Sequence, residues 1–582
     1  MDMVNVKING IAVQVPKGSK IVEAAHAAGV KVPTLCYLKG INEIAACRIC
    51  MVELVGPRGN SLVPACAQPV KEGMEVITNS QRCLDARRRT LQLILSDHNK
   101  KCLQCVRNGH CELQELCAEM GIMDEDRYKG ASHLPPLDTT SAHMVRDNSK
   151  CILCRRCVSV CNNIQHIGVI GANNRGFETQ IGCAFERGLG ETSCVSCGQC
   201  IAVCPTGALY EKSAIDPVLA AIHDPEKVVV VQTAPSVRVA LGEEFGMPIG
   251  TDVEGKMFAA LRRLGFDKVF DTDFGADLTI MEEANEFIER VTHGGTLPMI
   301  TSCSPGWVKY CEHYYPDQLD HLSTCKSPQQ MQSAITKTYW AKKMGIDPKK
   351  IVSVSVMPCT AKKFEIWREG QEAAGVNDTD FVLTTRELAR MIKKVGLDFN
   401  SLPDEKPDDP IGESTGAAVI FGVTGGVMEA ALRTAVETLT GETLPSPEFK
   451  EVRGFEGIKE ATYTVAGKEI KICVASSTGC AEKVMDQVRA GTAPWQFIEI
   501  MCCPGGCVNG GGQPQVHASV RNFTDVRALR AAALYKNDEA KTIRKSHENP
   551  SIQKVYAEFL GKPGSETAHH VLHTHYVKRE IS

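Results

Sequence analysis

The spacing of the cysteines constrains this chain more than any other feature of its sequence. Two runs with the same pattern, Cys-x2-Cys-x2-Cys-x3-Cys, occupy 151–161 and 194–204. Of the 27 cysteines in 582 residues, 18 lie at or before Cys204. Thiols that repeat at short fixed intervals indicate metal ligation or redox chemistry, because packing alone imposes no such spacing.

Disulfide bonds explain this clustering less well. The first 14 residues contain neither a basic start nor a long apolar stretch, so we expect a cytoplasmic, reducing location in which structural disulfides do not persist. With 65 basic and 69 acidic side chains, the composition predicts no nucleic-acid partner and no polybasic membrane patch. The sequence has no run of about 18 apolar residues, so we also expect no membrane span.

The first segment, 1–80, predicts a hairpin, a helix and a cysteine loop. Alternating apolar residues flank a turn at Asn9-Gly10, and Ser19 is expected to cap a helix that stops at Gly29. This order resembles the β-grasp of plant-type ferredoxins, with a longer first gap between ligands than is common. The spacing fits a 2Fe-2S cluster on four loop thiols, Cys36, Cys47, Cys50 and Cys66.

The second segment, 81–135, is expected to form a small helical domain around a 4Fe-4S cluster. Between its helices lie His98, Cys102, Cys105 and Cys111. A single histidine at a helix end is more often a surface residue, but three cysteines leave one cubane corner without a donor, which favours ligation by the imidazole. Cys83 and Cys117 fall outside the spacing and are expected to be small buried hydrophobes.

The third segment, 136–214, contains the two repeated runs and is similar to a bacterial two-cluster ferredoxin. In that arrangement the fourth cysteine of each run ligates the other cluster. The first predicted 4Fe-4S cluster is held by Cys151, Cys154, Cys157 and Cys204, and the second by Cys194, Cys197, Cys200 and Cys161. One 2Fe-2S and three 4Fe-4S clusters in roughly two hundred residues predict a path that conducts single electrons.

The last segment, 215–582, alternates apolar strands with helical patterns, which favours a large α/β domain with parallel strands. Three cysteine motifs follow predicted strands: TSCSPGW at 301–307, MPCTAKK at 357–363 and MCCPGGC at 501–507. The glycines of the third motif let the backbone approach an inorganic group closely. The whole chain is therefore expected to be a multidomain protein of α+β and α/β type.

These three motifs, behind the predicted electron path, resemble the catalytic subunit of an iron-only (FeFe) hydrogenase over essentially the whole chain. The resemblance implies an H-cluster, in which a 4Fe-4S cubane shares one cysteine sulfur with a di-iron site holding CO, CN and an azadithiolate. It implies an enzyme that interconverts H₂ with protons and electrons. It also implies that Cys507 is the shared thiolate and that Cys359 and Cys503 are cubane ligands.

The resemblance assigns further residues around the di-iron site. It implies that Lys362 pairs with one cyanide and that Pro235 and Ser236 contact the other. The remaining implied cofactor contacts are Gln329, Met357, Pro358 and Met501. It also implies a proton relay through Cys303, Glu283, Ser323, Glu286 and Arg290. Spacing alone favours a solvated ion-pair strip of Glu283, Glu286 and Arg290 along one helix face, whereas the resemblance favours the relay.

The first motif departs from the family pattern, in which two adjacent cysteines carry protons and ligate the cubane. Here the second position is Ser304, whose oxygen is a harder ligand than a thiolate and a poor match for iron in an iron-sulfur cubane. The third motif contains an additional cysteine, Cys502. Our hypothesis is that Cys303 carries protons, Cys502 completes the cubane and Ser304 is a hydrogen-bonding neighbour. In the rival arrangement Cys303 ligates, and Ser304 or Cys502 carries protons.

Other classes fit the sequence less well. A redox or H₂ sensor usually has signalling domains, an iron-sulfur assembly factor lacks the first two segments, and a complex I or formate dehydrogenase subunit lacks the three motifs. No G-x-G-x-x-G follows a strand, so we expect no NAD(P) site on this chain. The first two segments are similar to those of subunits that dock flavin-bearing partners, and Ser304 resembles the multimeric, NAD(P)-linked, electron-bifurcating members of the family. This resemblance implies partner subunits that carry flavin and iron-sulfur centres and react with NAD(P). We expect a cytoplasmic, electron-bifurcating complex that also uses ferredoxin, with a stand-alone ferredoxin-dependent enzyme as the alternative.

The closing segment is histidine-rich, with the sequence HHVLHTHY at 569–576. These histidines could bind a metal ion. A solvated tail is the interpretation that the sequence favours.

Overall fold

The computed structural model describes residues 2–581 as a mixed α/β fold with small N-terminal domains and one large domain. The N-terminal sheet has five strands in the order β2-β1-β5-β3-β4. The elements of this first domain are β1 (Met3–Ile8), β2 (Ile11–Pro16), α1 (Ile21–Ala27), β3 (Met51–Leu54), β4 (Ser61–Pro64) and β5 (Met74–Ile77).

The predicted hairpin and helix are both present. Asn9 and Gly10 join β1 to β2 with φ angles of 51° and 83°, the two positive values that a tight hairpin turn requires. The N-cap of α1 is Lys20, so the expectation that Ser19 caps the helix was wrong. The Glu23 carboxylate accepts a hydrogen bond from the Lys20 N–H at 2.7 Å. This bond satisfies a backbone donor at the start of the helix that would otherwise have no partner.

Short elements connect the cysteine loops of the next two segments. Because each loop must wrap its sulfurs around one point, little regular structure forms there. The elements are α2 (Gln81–Ser96), α3 (Glu112–Glu119), β6 (Met144–Arg146), α4 (Arg156–Ser159), β7 (Gly171–Asn173), β8 (Gln180–Gly182), α5 (Gln199–Ala202) and β9 (Leu209–Glu211). Strands β6 and β9 pair antiparallel, as do β7 and β8.

The large domain contains two four-stranded sheets. The first has the order β11-β10-β13-β14 and is parallel throughout. The second has the order β12-β17-β16-β15, in which only β15 runs antiparallel to its neighbour. The strands are β10 (Val228–Thr233), β11 (Lys268–Asp271), β12 (Met299–Ile300), β13 (Ile351–Met357), β14 (Phe381–Thr384), β15 (Ile458–Val465), β16 (Lys468–Ser476) and β17 (Phe497–Met501).

Helices cover both sheets of the large domain. They are α6 (Ile215–Ile222), α7 (Pro235–Arg238), α8 (Glu254–Arg263), α9 (Thr272–Glu289), α10 (Pro305–Tyr314), α11 (Pro328–Ile335), α12 (Ala341–Met344), α13 (Lys362–Glu365), α14 (Thr385–Lys394), α15 (Gly416–Val419), α16 (Gly426–Thr440), α17 (Thr478–Arg489), α18 (Ala518–Arg521), α19 (Val526–Ala540), α20 (Pro550–Val555) and α21 (Glu566–Leu572). None of the helices in residues 2–581 combines the length and apolar character needed to cross a bilayer.

Helix α9 lies in the core between the two sheets. Its Phe274 and Leu278 pack with Val230 of the first sheet, whereas Ala276 and Ile280 pack in the same core as β16 and β17 of the second sheet. Strands β12, β13 and β17 end directly before the three cysteine motifs. The carboxyl ends of strands from both sheets therefore bring the motifs to one place, as the alternating pattern predicts.

Candidate active site and electron-transfer centres

The four loop thiols of the first domain converge in its interior. Cys36, Cys47, Cys50 and Cys66 are all buried. Hydrogen bonds from the Cys47 and Cys66 thiols lower the pKa of Cys36, and the Cys66 thiol also bonds Cys50. All four cysteines are free thiols and none of them forms a disulfide. Four buried sulfurs in mutual contact match the donor set of a 2Fe-2S cluster.

The second domain places Cys102, Cys105 and Cys111 at half-buried positions. Burial and the nearby Lys150 ammonium lower the pKa of His98 to about 4, so its imidazole is neutral at physiological pH. Within residues 2–581 its buried Nδ1 has no hydrogen-bond partner, which leaves that nitrogen free to bind iron. Ligation by His98 stays a prediction. Cys83 is buried as expected, whereas Cys117 is only half-buried.

The third domain brings its eight cysteines together in crosswise sets. One small cavity is lined by Cys151, Cys154, Cys157 and Cys204. In the other set, Cys161 and Cys197 raise the pKa of the Cys194 thiol, after the larger effect of its burial. Each group joins three cysteines of one run to the last cysteine of the other, which is the arrangement that two interleaved cubanes require.

The three motifs of the large domain surround one cavity. This cavity is lined by every residue that the sequence assigned to the H-cluster: Pro235, Ser236, Cys303, Ser304, Gln329, Met357, Pro358, Cys359, Lys362, Met501, Cys502, Cys503 and Cys507. Cys197 of the third domain also lines the cavity. The second 4Fe-4S cluster predicted for that domain would therefore have one of its ligands at the cavity. Phe421 and Gly422 also line the cavity, and no motif in the sequence marks them.

Glycines of the third motif let the chain close around this cavity. Gly506 has a φ of 91°, and a Cβ there would lie 2.5 Å from the Thr424 nitrogen. A Cβ on Gly510 would lie 2.2 Å from the Pro358 carbonyl oxygen of the second motif. Burial, and then the charge of the nearby Cys359, raise the pKa of the Cys507 thiol. Converging thiols in a glycine-lined cradle fit a cluster-bound iron centre.

Lys362 is held in place by a carboxylate that sequence reasoning missed. Its Nζ donates to both oxygens of Glu365, at 3.1 and 2.9 Å, and to the Cys303 carbonyl oxygen at 3.3 Å. Glu365 also accepts a hydrogen bond from Gln329 Nε2 at 3.1 Å. An acidic residue three positions after the lysine on a short helix was the available signal. Lys362 thus presents a fixed cation at the cavity.

Residues at the start of α7 form another part of the cavity wall. Ser236 donates its hydroxyl to the Gly422 carbonyl oxygen at 3.3 Å, and its own carbonyl accepts from Gln513 Nε2 at 2.8 Å. Met357 and Met501 are buried at the ends of β13 and β17. The cavity therefore has an apolar lining with few fixed polar groups, which disfavours the entry of water.

Ser304 and Cys502 contact each other at the junction of the first and third motifs. The Cys502 N–H donates to the Ser304 hydroxyl oxygen at 3.2 Å. A hydrogen bond joins the Cys502 and Cys197 thiols and raises the pKa of Cys502. A Cβ on Gly306 would lie 2.7 Å from the Cys502 sulfur, so the first motif packs tightly against it. Cys502 therefore lines the cavity and also contacts Cys197, a predicted ligand of the second 4Fe-4S cluster of the third domain.

The residues of the predicted relay form a connected group beside α9. Ser323 donates its hydroxyl to Glu286 at 2.9 Å, and the other Glu286 oxygen pairs with Arg290 at 2.5 Å. Glu283 is fully buried, so a solvated ion-pair strip was the wrong interpretation. Burial, and then repulsion from Glu286, raise the pKa of Glu283 to about 8.

Glu283 is also the residue of the relay that faces Cys303. Burial, followed by the Glu283 charge, raises the pKa of the Cys303 thiol. Among residues 2–581 neither Glu283 carboxylate oxygen has a hydrogen-bond partner, and the Ser323 hydroxyl donates to Glu286 instead. Two unpaired buried oxygens leave room for a bridging water between Glu283 and its neighbours.

The closing histidines do not all form a solvated tail, which corrects that expectation. His573 is only 9% exposed and follows α21, where its backbone bridges to Cys325. His569, His570 and His575 are exposed. Packing of α21 against the large domain decides which of these residues is buried, and the histidine-rich composition alone does not reveal it.

The large domain matches an established family. Residues 227–511 match the iron only hydrogenase large subunit, C-terminal domain, and residues 524–579 match the iron hydrogenase small subunit. The preceding stretches match a 2Fe-2S iron-sulfur cluster binding domain over 1–81, the NADH-ubiquinone oxidoreductase-G iron-sulfur binding region over 87–126 and the NADH-quinone oxidoreductase subunit 3 ferredoxin-like domain over 142–210. The chain belongs to the FeFe hydrogenases and is an iron-sulfur oxidoreductase that acts on H₂.

Full-length relatives place the chain within this family. It is 52% identical to the NADP-reducing hydrogenase subunit HndD of Solidesulfovibrio fructosivorans, over 100% of both chains. It is 42% identical to iron hydrogenase 1 of Clostridium pasteurianum, over 99% of this chain and 100% of that protein. The solved apo [FeFe]-hydrogenase HydA1 from Chlamydomonas reinhardtii superimposes with a TM-score of 0.57 at 42% identity, covering 64% of this chain and 100% of that one.

The family and the domain matches establish the class of cofactor. The chain is an FeFe hydrogenase catalytic subunit that carries iron-sulfur clusters of the 2Fe-2S and 4Fe-4S types together with an H-cluster. Its iron-sulfur domains are like those of NADH-ubiquinone oxidoreductase.

Proposed function

We propose that this chain is the H₂-activating subunit of a cytoplasmic complex that couples H₂ to both NAD(P) and ferredoxin by electron bifurcation. The observation that carries the proposal is the 52% identity over the full chain to a subunit of an NADP-reducing hydrogenase. The chain itself offers no nucleotide-binding motif, so partner subunits with flavin and iron-sulfur centres supply the NAD(P) reaction. A stand-alone ferredoxin-dependent hydrogenase is the alternative.

The cluster inventory that we propose is one 2Fe-2S cluster, three 4Fe-4S clusters and the H-cluster. Electrons pass between the partner subunits and the third domain, and reach the cavity beside Cys197. The contact between the Cys197 and Cys502 thiols supports this entry point, because it joins a predicted ligand of the last path cubane to the cavity wall.

The H-cluster supplies the site at which protons and electrons combine to H₂. Around it, the chain's own residues hold Lys362 as a cation against Glu365, keep the lining apolar through Met357 and Met501, and position Ser236 by two hydrogen bonds. A fixed cation stabilises an anionic diatomic ligand without reorganisation, because its own partner is already in place.

The relay that we propose moves one proton for each electron. Glu286, held by its ion pair with Arg290, takes it up near the surface, the Ser323 hydroxyl passes it inward, and Glu283 delivers it to the Cys303 thiol. A carboxyl group with a pKa of about 8 is suited to this task, since it can both hold and release a proton near neutral pH.

For the displaced thiol we propose that Cys502 completes the cubane with Cys359, Cys503 and Cys507, while Cys303 carries protons. The hydrogen bond from the Cys502 N–H to Ser304 supports this assignment, because it places the serine as a neighbour of the loop. The rival arrangement keeps Cys303 as ligand, with Ser304 or Cys502 carrying protons.

The proposed complex is tested on the protein purified from its native source. We expect a hetero-oligomer that contains flavin and reduces NAD(P)⁺ with H₂, and size-exclusion mass with flavin analysis measures the first two properties. The catalytic chain expressed alone and matured is the control, which is expected to exchange H₂ with an artificial electron carrier but not with NAD(P)⁺. A flavin-free monomer that serves ferredoxin alone would establish the alternative.

A further inference from the structure

A cluster of metal-binding side chains lies at the outer end of the proton relay, where α21 ends. Glu286, Cys325 and His573 each direct one ligand atom to a common point, and these three atoms lie within 4.8 Å of one another. Cys325 and His573 are buried, and the Glu286 side chain is 15% exposed. The proposed relay uses only Glu286 of these three residues.

The donor set matches one metal ion closely. A thiolate, an imidazole and a carboxylate are the ligands that Zn²⁺ takes, and three protein ligands leave a fourth tetrahedral position for water. The Cys325 sulfur already lies 3.8 Å from Glu286 Oε2, a separation that two ligands of one tetrahedral ion can share. Little movement is needed to bring both onto one cation.

The histidine is oriented as a zinc ligand is usually oriented. His573 Nε2 lies 3.2 Å from Glu282 Oε2, and Nδ1 forms a 2.8 Å hydrogen bond with Thr324 Oγ1, which also bonds Glu286. A bound ion would replace the hydrogen bond between Nδ1 and Thr324. Glu282 is fully buried and accepts a hydrogen bond from the Gly564 N–H at 2.8 Å. A carboxylate that fixes the far nitrogen of a histidine is the common support of zinc-bound imidazoles.

The local charge also favours a divalent cation. Glu282 and Glu286 both approach this region from α9, and Arg290 pairs with Glu286. Burial, and then the charges of Glu286 and Glu283, raise the pKa of Cys325, so its thiol keeps its proton while no metal is bound. Binding of Zn²⁺ replaces that proton, which leaves to solvent.

We propose that Glu286, Cys325 and His573 form an inhibitory zinc site, in which the ion withdraws Glu286 from proton transfer. Binding itself depends only on the three side chains and Glu282. Inhibition rests in addition on the proposed relay, because a zinc-bound carboxylate can no longer exchange protons with Ser323.

Zinc binding is tested on the matured holoenzyme with its iron content verified. Wild-type protein is incubated with ZnCl₂, desalted and analysed for zinc, and zinc X-ray absorption reports the ligands. We expect one additional zinc per chain with one sulfur neighbour at about 2.3 Å. Cys325→Ala and His573→Gln should lose this zinc, and Glu282→Gln should bind it about 10–100-fold more weakly.

The matched control is Cys311→Ala, which removes another fully buried thiol from a different core region. It is expected to retain the zinc. Equal zinc content in wild type and Cys325→Ala, or a zinc without a sulfur neighbour, would overturn the proposed site.

Inhibition is measured separately, as H₂ evolution from a reduced artificial carrier, with each variant compared with its own zinc-free rate. We expect zinc to inhibit wild type and Cys311→Ala reversibly, with recovery on chelation, and to spare Cys325→Ala and His573→Gln. Stoichiometric zinc at the site without inhibition would refute the inhibitory role and the passage of protons through Glu286, while leaving the hydrogenase activity itself untouched.

Discussion

Glu283 is the residue on which the proposed relay depends most, because its buried carboxyl group interacts with both Glu286 and Cys303. We expect Glu283→Gln to lower H₂ evolution from a reduced artificial carrier by about 10²–10⁴-fold, the usual contribution of a positioned proton donor. Glu289→Gln is the matched control, since Glu289 lies on the same helix and is exposed. Wild-type turnover in Glu283→Gln would exclude this relay.

The pH dependence of thermal stability gives a second readout for the same variant. The raised pKa of Glu283, about 8, means that the folded protein holds a proton that the unfolded chain releases above about 4.5. Stability from this group is therefore complete below that pH and declines as pH rises to about 8. Relative to wild type, the thermal midpoint of Glu283→Gln should rise between pH 5 and pH 8. A difference that stays constant over this range would contradict the buried neutral carboxyl.

Cys502 tests the displaced thiol. We expect Cys502→Ala to lose the H-cluster cubane, measured as loss of its electron paramagnetic resonance signal and of the corresponding iron. Ser304→Ala should keep the cubane, because the serine only accepts the Cys502 N–H. A Cys502→Ala protein with an intact cubane would favour the rival assignment, in which Cys303 is the ligand.

At the scale of the element, helix α9 must approach α11 closely to position the relay. A Cβ on Gly275 would lie 2.4 Å from the Pro328 carbonyl oxygen. Because this oxygen belongs to the backbone of α11, it cannot move away as the end of a flexible side chain could. We expect Gly275→Ala to destabilise the protein by roughly 1–3 kcal/mol and to lower its thermal midpoint. Gly130→Ala is the control, because a Cβ there meets no atom within 4 Å. Equal midpoints for the two variants would contradict the close helix contact.

Local sequence signals predicted the elements whose cause is local. The Asn9-Gly10 hairpin and the position of the cysteine motifs after β12, β13 and β17 follow from turn chemistry and apolar patterning. The division of the large domain into two sheets, the contact of Cys502 with Cys197 and the burial of His573 depend on tertiary packing. Residues far apart in sequence decide these features, so spacing could not reveal them.

At the scale of the whole molecule, the proposed electron path and the proposed proton path meet at one cavity. Cys197 reaches the cavity from the third domain, while Glu283 and Cys303 approach it from α9 and the first motif. The proposed electron route and the proposed proton route approach the cavity through different elements. A substitution can therefore block either route and leave the other intact. This separation lets a partner subunit set the electron source while the catalytic chain retains its own proton supply.

H₂-dependent reduction of NAD(P)⁺ by the natively purified protein, with and without oxidised ferredoxin, tests the central proposal most directly. A bifurcating complex is expected to reduce NAD(P)⁺ only when oxidised ferredoxin is present, and to reduce both acceptors together. The result that would contradict the account is ferredoxin reduction by a flavin-free single chain that leaves NAD(P)⁺ untouched.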